Sequence, residues 1–282
     1  MVSSRYKKRL ISFALLVIMI AFALFCLAPL FFLLSSSFKP GSEMIRNGIT
    51  LKLDIGNMNF DNYTLLWEGK DGIYLYWYRN SVAITVLGTV LSLILASSVG
   101  YGLAMYQFKG RNFLFILILI VMMIPIEILI LPLYKLSITI KLIDTYGGVI
   151  LPFAVSPFAV FFFRQYASKL SKEFMDAGRI DGCTEFGIYL KIMMPLMLPA
   201  FGAMTILLAM SNWNGFVWPL IVLRSNEMLT LPIGLQSLIT PYGNNYDLLL
   251  SGVVMSIVPI MIVFWCNQKA FIEGLTVGGV KG

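Results

Sequence analysis

Residues 176–199 read DAGRIDGCTEFGIYLKIMMPLMLP, a run of charges and glycines closing on two prolines, in a chain that is otherwise almost wholly apolar. The 282 residues are 59% hydrophobic and only 12% charged, with a mean hydropathy of +0.84. A water-soluble core of this size cannot hide that much apolar surface, so lipid must serve as solvent. A spanning helix needs about 20 mainly apolar residues, and six segments qualify: 10–34, 81–105, 113–133, 147–163, 196–220 and 248–267. The fold class this predicts is an all-α membrane protein with six transmembrane helices, and the 176–199 run falls between its fourth and fifth spans.

The first apolar run is followed by SSSFKP without a small-residue cleavage pattern, so it is expected to be a retained span rather than a signal peptide. Lys and Arg set the orientation. They cluster at Arg5, Lys7, Lys8 and Arg9, at Lys109 and Arg111, and at Arg164, Lys169, Lys172, Arg179 and Lys191. By the positive-inside rule these segments face the cytoplasm, which places both termini there. The expected organisation is one transmembrane domain over 1–282, with an extracytoplasmic loop over 35–80 and a cytoplasmic loop over 165–195.

The net charge of +7 is distributed over span ends rather than gathered on an aromatic-rich patch, which argues for membrane topology and against nucleic acid as a partner. Cys26, Cys183 and Cys266 lack metal-ligand spacing, and there is no histidine, so neither a metal site nor a histidine general base is expected. No phosphate-binding loop of the form G-x-x-x-x-G-K-[ST] occurs, so the chain is not expected to hydrolyse ATP itself.

The outer connection, residues 35–80, carries five acidic and five basic residues. Within it, NFDNYTLLWE offers Asp61 as an N-cap ahead of Tyr63, Leu66 and Trp67 at helical spacing, which predicts a short interfacial helix. Polar residues within the spans are few. Glu127, between Pro125 and Pro132, either lines a water-filled cavity, where irregular backbone is tolerated, or lies near the outer interface and caps a neighbouring element. Asn212, Trp213 and Asn214 in SNWNGFVWPL combine amide hydrogen-bonding groups with a flat apolar face. That combination suits a sugar, and equally suits an interfacial anchor and a helix-to-helix joint.

Within the interrupting run, Ser171 is the N-cap candidate of a short amphipathic helix. Leu170, Phe174, Ala177 and Gly178 fall on one face, and Lys172, Glu173, Asp176 and Arg179 on the others. Gly182 ends the helix where a left-handed backbone is cheap, and TEFGIYLKI starts a second helix before Pro195 turns the chain toward the fifth span. Small residues at 177, 178 and 182 would let another backbone approach closely, and the flanking charges would orient it.

At these residues the sequence resembles the membrane-spanning permease subunits of ATP-binding-cassette importers. Their cytoplasmic signature is Glu-Ala-Ala, three residues, Gly, nine residues, then Ile-x-Leu-Pro. Here it reads Asp176-Ala177-Gly178, three residues, Gly182, nine residues, then Ile192-Met193-Met194-Pro195, with Asp, Gly and Met as replacements at 176, 178 and 194. RIDG at 179–182, NWNGFVWPLIVL from Asn212, LTLPIGL from Leu229 and FIEGLTVGGVKG from Phe271 are similar to the carbohydrate-uptake branch, the maltose-type second permease subunit. Gly215 stands where that family often has an acidic residue.

The resemblance implies a type I importer permease fold in a prokaryotic cell membrane and a role in sugar import. The implied partners are a second permease, as a heterodimer, two cytoplasmic ATPase subunits that use ATP and Mg, and an extracytoplasmic sugar-binding protein; no cofactor is bound by this chain. It assigns ATPase coupling to Asp176, Ala177, Gly178, Arg179, Asp181, Gly182, Ile192 and Pro195. The substrate-path candidates Glu127, Asn212, Trp213 and Asn214 rest on their own chemistry. The competing classes are an ion-gradient-driven secondary transporter, which would need an intramembrane ionisable relay, an importer of a non-sugar solute, and a membrane-embedded enzyme, which would need a convergent catalytic set.

Overall fold

Among the described residues, four helices are long and apolar enough to cross a membrane, spanning Lys8–Ser37, Ile73–Met105, Leu198–Val222 and Tyr246–Ile272, and two further helix pairs pass the same test together although each is bent. The computed structural model describes residues 2–43, 56, 58–240 and 243–276. The chain clusters into two units, one of 1–72 with 235–255 and one of 73–234 with 256–282.

In the first unit, helix α1 (Val2–Ser37) is mainly apolar and largely exposed over 10–34, as a lipid-facing helix is. Helix α2 (Asp61–Glu68) is the short helix expected in the outer connection, but its N-cap is Phe60 and Asp61 is its first residue. There the carboxylate complements the positive end of the helix dipole instead of capping a backbone N–H. Asn62 fixes α2 to the end of α1, its amide donating to the carbonyls of Ser37 and Lys39 at 2.8 Å each. Part of the 35–80 connection, 44–55 and 57, lies outside the described residues, and 73–80 belong to the next helix.

The second unit is built around α3 (Ile73–Met105), about 50 Å long at 1.5 Å per residue. Gly88, Ser92, Ala96 and Gly100 recur at every fourth position, giving a stripe of small residues that lets neighbouring helices approach closely, as membrane helix pairs require. A Cβ on Gly100 would come within 2.7 Å of the Phe163 Cβ and 2.8 Å of the Arg164 backbone nitrogen.

The third apolar run is not one straight span. Helices α4 (Arg111–Met122) and α5 (Ile126–Thr139) meet at 101°, because Pro125 takes an extended backbone (ψ 132°) ahead of α5. Pro132, by contrast, sits inside α5 without ending it. The fourth run is also bent. Helix α6 (Tyr146–Ile150) and the 3-10 turn Leu151–Phe153 lead into α7 (Pro157–Ala167) at 46°. Pro157 opens α7, and Ser156 caps it by accepting the Ala159 N–H.

The interrupting run forms α8 (Glu173–Ile180), α9 (Glu185–Ile188), a π-helical stretch Tyr189–Met193 and a helical turn Met194–Leu196. Then follow α10 (Leu198–Trp213), α11 (Val217–Val222), α12 (Leu231–Ser237), a two-residue antiparallel ladder (Ile239–Thr240 with Gly243–Asn244) and α13 (Tyr246–Thr276). The main apolar core of the second unit gathers Ala96, Tyr101, Val160, Phe163, Met193 and Met204 from α3, α7, the π-helical stretch and α10.

Candidate coupling loop and translocation path

Helix α8 ends as its sequence predicts. Gly182 has φ +75°, its N–H donates to the Arg179 carbonyl, and the Cys183 N–H donates to the Gly178 carbonyl, the paired bonds of a Schellman C-cap. Its start differs from expectation. The N-cap is Lys172 without a side-chain bond, and Ser171 instead accepts the Glu173 N–H at 3.2 Å. The buried face differs as well. Met175 and Gly178 are buried, whereas Phe174 and Ala177 are exposed, because the helix is rotated so that Gly178 meets the following segment. A Cβ on Gly178 would lie 2.7 Å from Ile192 Cδ1 and 3.0 Å from Ile188 Cγ1. Thus two of the motif positions, Gly178 and Ile192, pack on each other.

Thr184 caps α9 by accepting the Gly187 N–H at 3.1 Å. Arg179 then ties the two short helices together, donating from Nε to Glu185 Oε1 at 2.7 Å, from Nη2 to Oε2 at 3.2 Å and from Nη1 to Asp176 Oδ1 at 3.0 Å. Tyr106, one residue past the end of α3, donates its hydroxyl to Glu185 Oε2 at 2.5 Å. The Arg179 guanidinium first, then this hydroxyl, hold the Glu185 carboxyl below the usual carboxylate range. Burial, then the adjacent carboxylate, push the Tyr106 hydroxyl well above the usual phenol range. Around the Gly182 turn the surface is open. Asp176, Ala177, Asp181, Gly182 and Pro195 are exposed, a Cβ on Gly182 would meet nothing within 4 Å, and two large apolar side chains stand free, Ile180 at 86% and Phe186 at 70% exposure.

The substrate-path candidates do not form one cluster. Glu127 is exposed in the first turn of α5, at the 101° bend, where its charge complements the helix dipole. Asn212 donates to Thr89 Oγ1 at 3.2 Å and its amide lies against Gly88, so it joins α10 to α3. Trp213 is buried with its ring edge-on to Tyr78 at 5.9 Å. Asn214, the C-cap of α10, is exposed. Sequence reasoning missed a further polar network. Buried Asn80 donates to the carbonyls of Glu227 and Leu229 at 2.7 and 2.9 Å and accepts the Tyr146 hydroxyl at 2.6 Å. Nearby in the chain, Asp144 takes a left-handed backbone (φ 60°) and accepts from the Arg224 N–H and the Ser225 hydroxyl at 2.8 and 2.5 Å. Burial opposes its ionisation, but these hydrogen bonds outweigh burial and hold its pKa below the usual value.

Among its described residues the chain is helical apart from one two-residue ladder, with a glycine-turned loop between apolar helices, the architecture of a membrane-spanning subunit. The chain belongs to the family described as the binding-protein-dependent transport system inner membrane component, whose pattern matches residues 88–269. It is 57% identical over 269 residues to the arabinooligosaccharides transport system permease protein AraQ of Bacillus subtilis, covering 95% of each chain. It is also 32% identical over 240 residues to the lactose transport system permease protein LacG of Rhizobium radiobacter, covering 85% of each. Among solved structures it resembles a chain of a bacterial transporter that imports the acidic polysaccharide alginate, with a TM-score of 0.81 and 27% identity, covering 93% of this chain and 96% of that one. The chain has the type I ABC importer permease fold and is a multi-pass membrane subunit rather than an enzyme; ATP hydrolysis belongs to a partner ATPase. In such systems the permease works with a second permease and a substrate-binding protein.

Proposed function

We propose that this chain is one of two permease subunits of an ATP-driven oligosaccharide importer, with arabino-oligosaccharides as the substrate class, and that loop 165–195 couples it to the ATPase. The coupling reading is carried by one observation: the loop exposes Ile180 and Phe186 beside the open Gly182 turn. Exposed apolar side chains on a water-facing loop give a docking partner apolar area to bury. Asp176, Ala177, Asp181, Gly182 and Pro195 form its exposed part, while Gly178, Arg179 and Ile192 hold its shape. ATP and Mg bind to the partner; this chain binds no cofactor.

The proposed topology has six spans, counting each bent pair as one, within a single domain over 1–282, and both termini are cytoplasmic. Its support is that long-range contacts join segments assigned to one side: Asn80, Tyr146 and Glu227 outside, Tyr106 and Glu185 inside. Of the positions that would test it by labelling, 57 and 280 lie outside the described residues. In a cysteine-free background, single cysteines at 3 and 280 should resist an impermeant reagent applied outside, and one at 57 should react; the reverse pattern would refute the orientation.

The sugar reading is supported by the 57% identity to AraQ. It predicts that cells lacking this subunit lose uptake of radiolabelled arabinotriose and regain it on complementation. Unchanged uptake would remove arabino-oligosaccharides as the substrate class.

A further inference from the structure

The coupling loop is fastened to α3 at two points. Tyr106 stands immediately beyond Met105, where α3 ends, and its hydroxyl meets Glu185 in the first turn of α9. One further turn into α3, Tyr101 lies between the other two tyrosines, its ring 5.7 Å from Tyr106 and 5.0 Å from Tyr189. Tyr189, in the loop's π-helical stretch, has its hydroxyl 2.7 Å from Ser97 Oγ of α3. Glu185 is thus shared. The Arg179 fork occupies both of its oxygens from within the loop, and the Tyr106 hydroxyl takes one of them from outside it.

A single hydroxyl therefore joins the ion pair that shapes the docking knob to the helix at the centre of the second unit. We propose that Tyr106 is a positioning residue for coupling: its hydrogen bond to Glu185 makes the loop and the inner end of α3 move as one body. Resting on the coupling role proposed above for loop 165–195, this adds the route by which displacement of the loop reaches a helix that contacts both α7 and α10. The phenol suits the task. At neutral pH it is a protonated donor facing an ionised carboxylate, and its ring packs against Tyr101, so Tyr106→Phe tests the bond without emptying the site.

The test is a distance measurement between spin labels at Val99→Cys on α3 and Lys172→Cys at the start of α8, both exposed. It is made in the assembled complex with its native cysteines replaced, first without nucleotide and then trapped with ATP and vanadate. With Tyr106 present, the distance should keep one narrow distribution in both states. Tyr106→Phe and Glu185→Ala should each add, on trapping, a second population displaced by about 2 Å or more, the scale of helix shifts in switching proteins. Glu185→Gln, which keeps a carbonyl acceptor for Tyr106, should restore the single population. Tyr106→Phe indistinguishable from the parent in both states, with the ATPase still bound, would overturn the inference, as would a parent whose distance already splits on trapping. Failure of the coupling reading itself is a different result: full retention of a responsive ATPase when Gly182 and Asp176 are altered.

Discussion

Arg179 Nε lies 2.7 Å from Glu185 Oε1 across the Gly182 turn, so the arginine of the loop's signature is bound to its own chain. It ties α8 to α9 and also binds Asp176 Oδ1 at 3.0 Å, while Asp181 stands exposed. Exposed ion pairs add little to global stability. Arg179→Ala should therefore leave the melting temperature of the detergent-solubilised complex nearly unchanged while raising amide exchange across 173–188. A global loss of stability would contradict this.

The same pair sets an acid limit. The Glu185 pKa in the folded loop lies below its unfolded value, which is about 4.3. Its contribution is thus fully present above the unfolded pKa and is lost as pH falls through the folded one. Protection against hydrogen exchange across 173–188, taken relative to the intrinsic rate at each pH, should be unaltered from about pH 8 to about pH 5 and fall only below about pH 4. Opening of the loop between about pH 6 and pH 7 would show that another group controls it.

The glycines of α3 divide by what lies opposite them. A Cβ on Gly100 would come within 2.7 Å of Phe163 Cβ and 2.9 Å of the Val160 carbonyl oxygen, whereas one on Gly102 would meet nothing within 4 Å. Gly100→Ala should destabilise the protein by about 1–3 kcal/mol, the usual cost of overpacking, and Gly102→Ala should be close to neutral. Equal melting temperatures for the two variants would mean that α3 and α7 are not in close contact.

How far these features could be read from residues alone depended on their range. Gly182 was legible because a glycine ending a short helix answers to a local rule, and the apolar runs were legible because each exceeds a span's length. Pro125 and Pro132 marked the third run as irregular, but did not show that Pro125 would bend it while Pro132 would not. The rotation of α8 was missed because it is set by Ile188 and Ile192 pressing on Gly178, a contact with the next helix rather than a property of α8. Tyr106 was not legible as a partner of Glu185 because the two are 79 residues apart and nothing in either local sequence marks the other. The same holds for Asn212 and Thr89, 123 residues apart.

The two asparagines at the end of α10 should therefore behave differently. Asn212→Leu removes a hydrogen bond between helices and should cost stability, about 0.6 kcal/mol on the average for membrane helix pairs. Asn214→Leu changes an exposed side chain and should lower oligosaccharide uptake while leaving assembly and ATPase binding intact. Unchanged uptake kinetics in Asn214→Leu would exclude Asn214 from the translocation path.

The open turn at Gly182 is the point at which the ATPase is proposed to engage. Gly182→Leu forces a branched side chain into φ +75°, a strain of about 1–2 kcal/mol. That is too small to unfold the helices but comparable to a typical coupling free energy of about 1–3 kcal/mol. Because a Cβ at 182 meets nothing within 4 Å, the added side chain points into the open space that a docking partner would fill. Asp176→Lys reverses a charge on the same surface, and Cys183→Ser, which stays small, is the control. The decisive measurement is ATP hydrolysis stimulated by the loaded binding protein in reconstituted complexes, made beside uptake. The account predicts normal membrane insertion and pairing with the second permease for all three variants, loss of stimulation and uptake in Gly182→Leu and Asp176→Lys, and near parental values in Cys183→Ser. Parental stimulation in both Gly182→Leu and Asp176→Lys would show that this loop is not the coupling element.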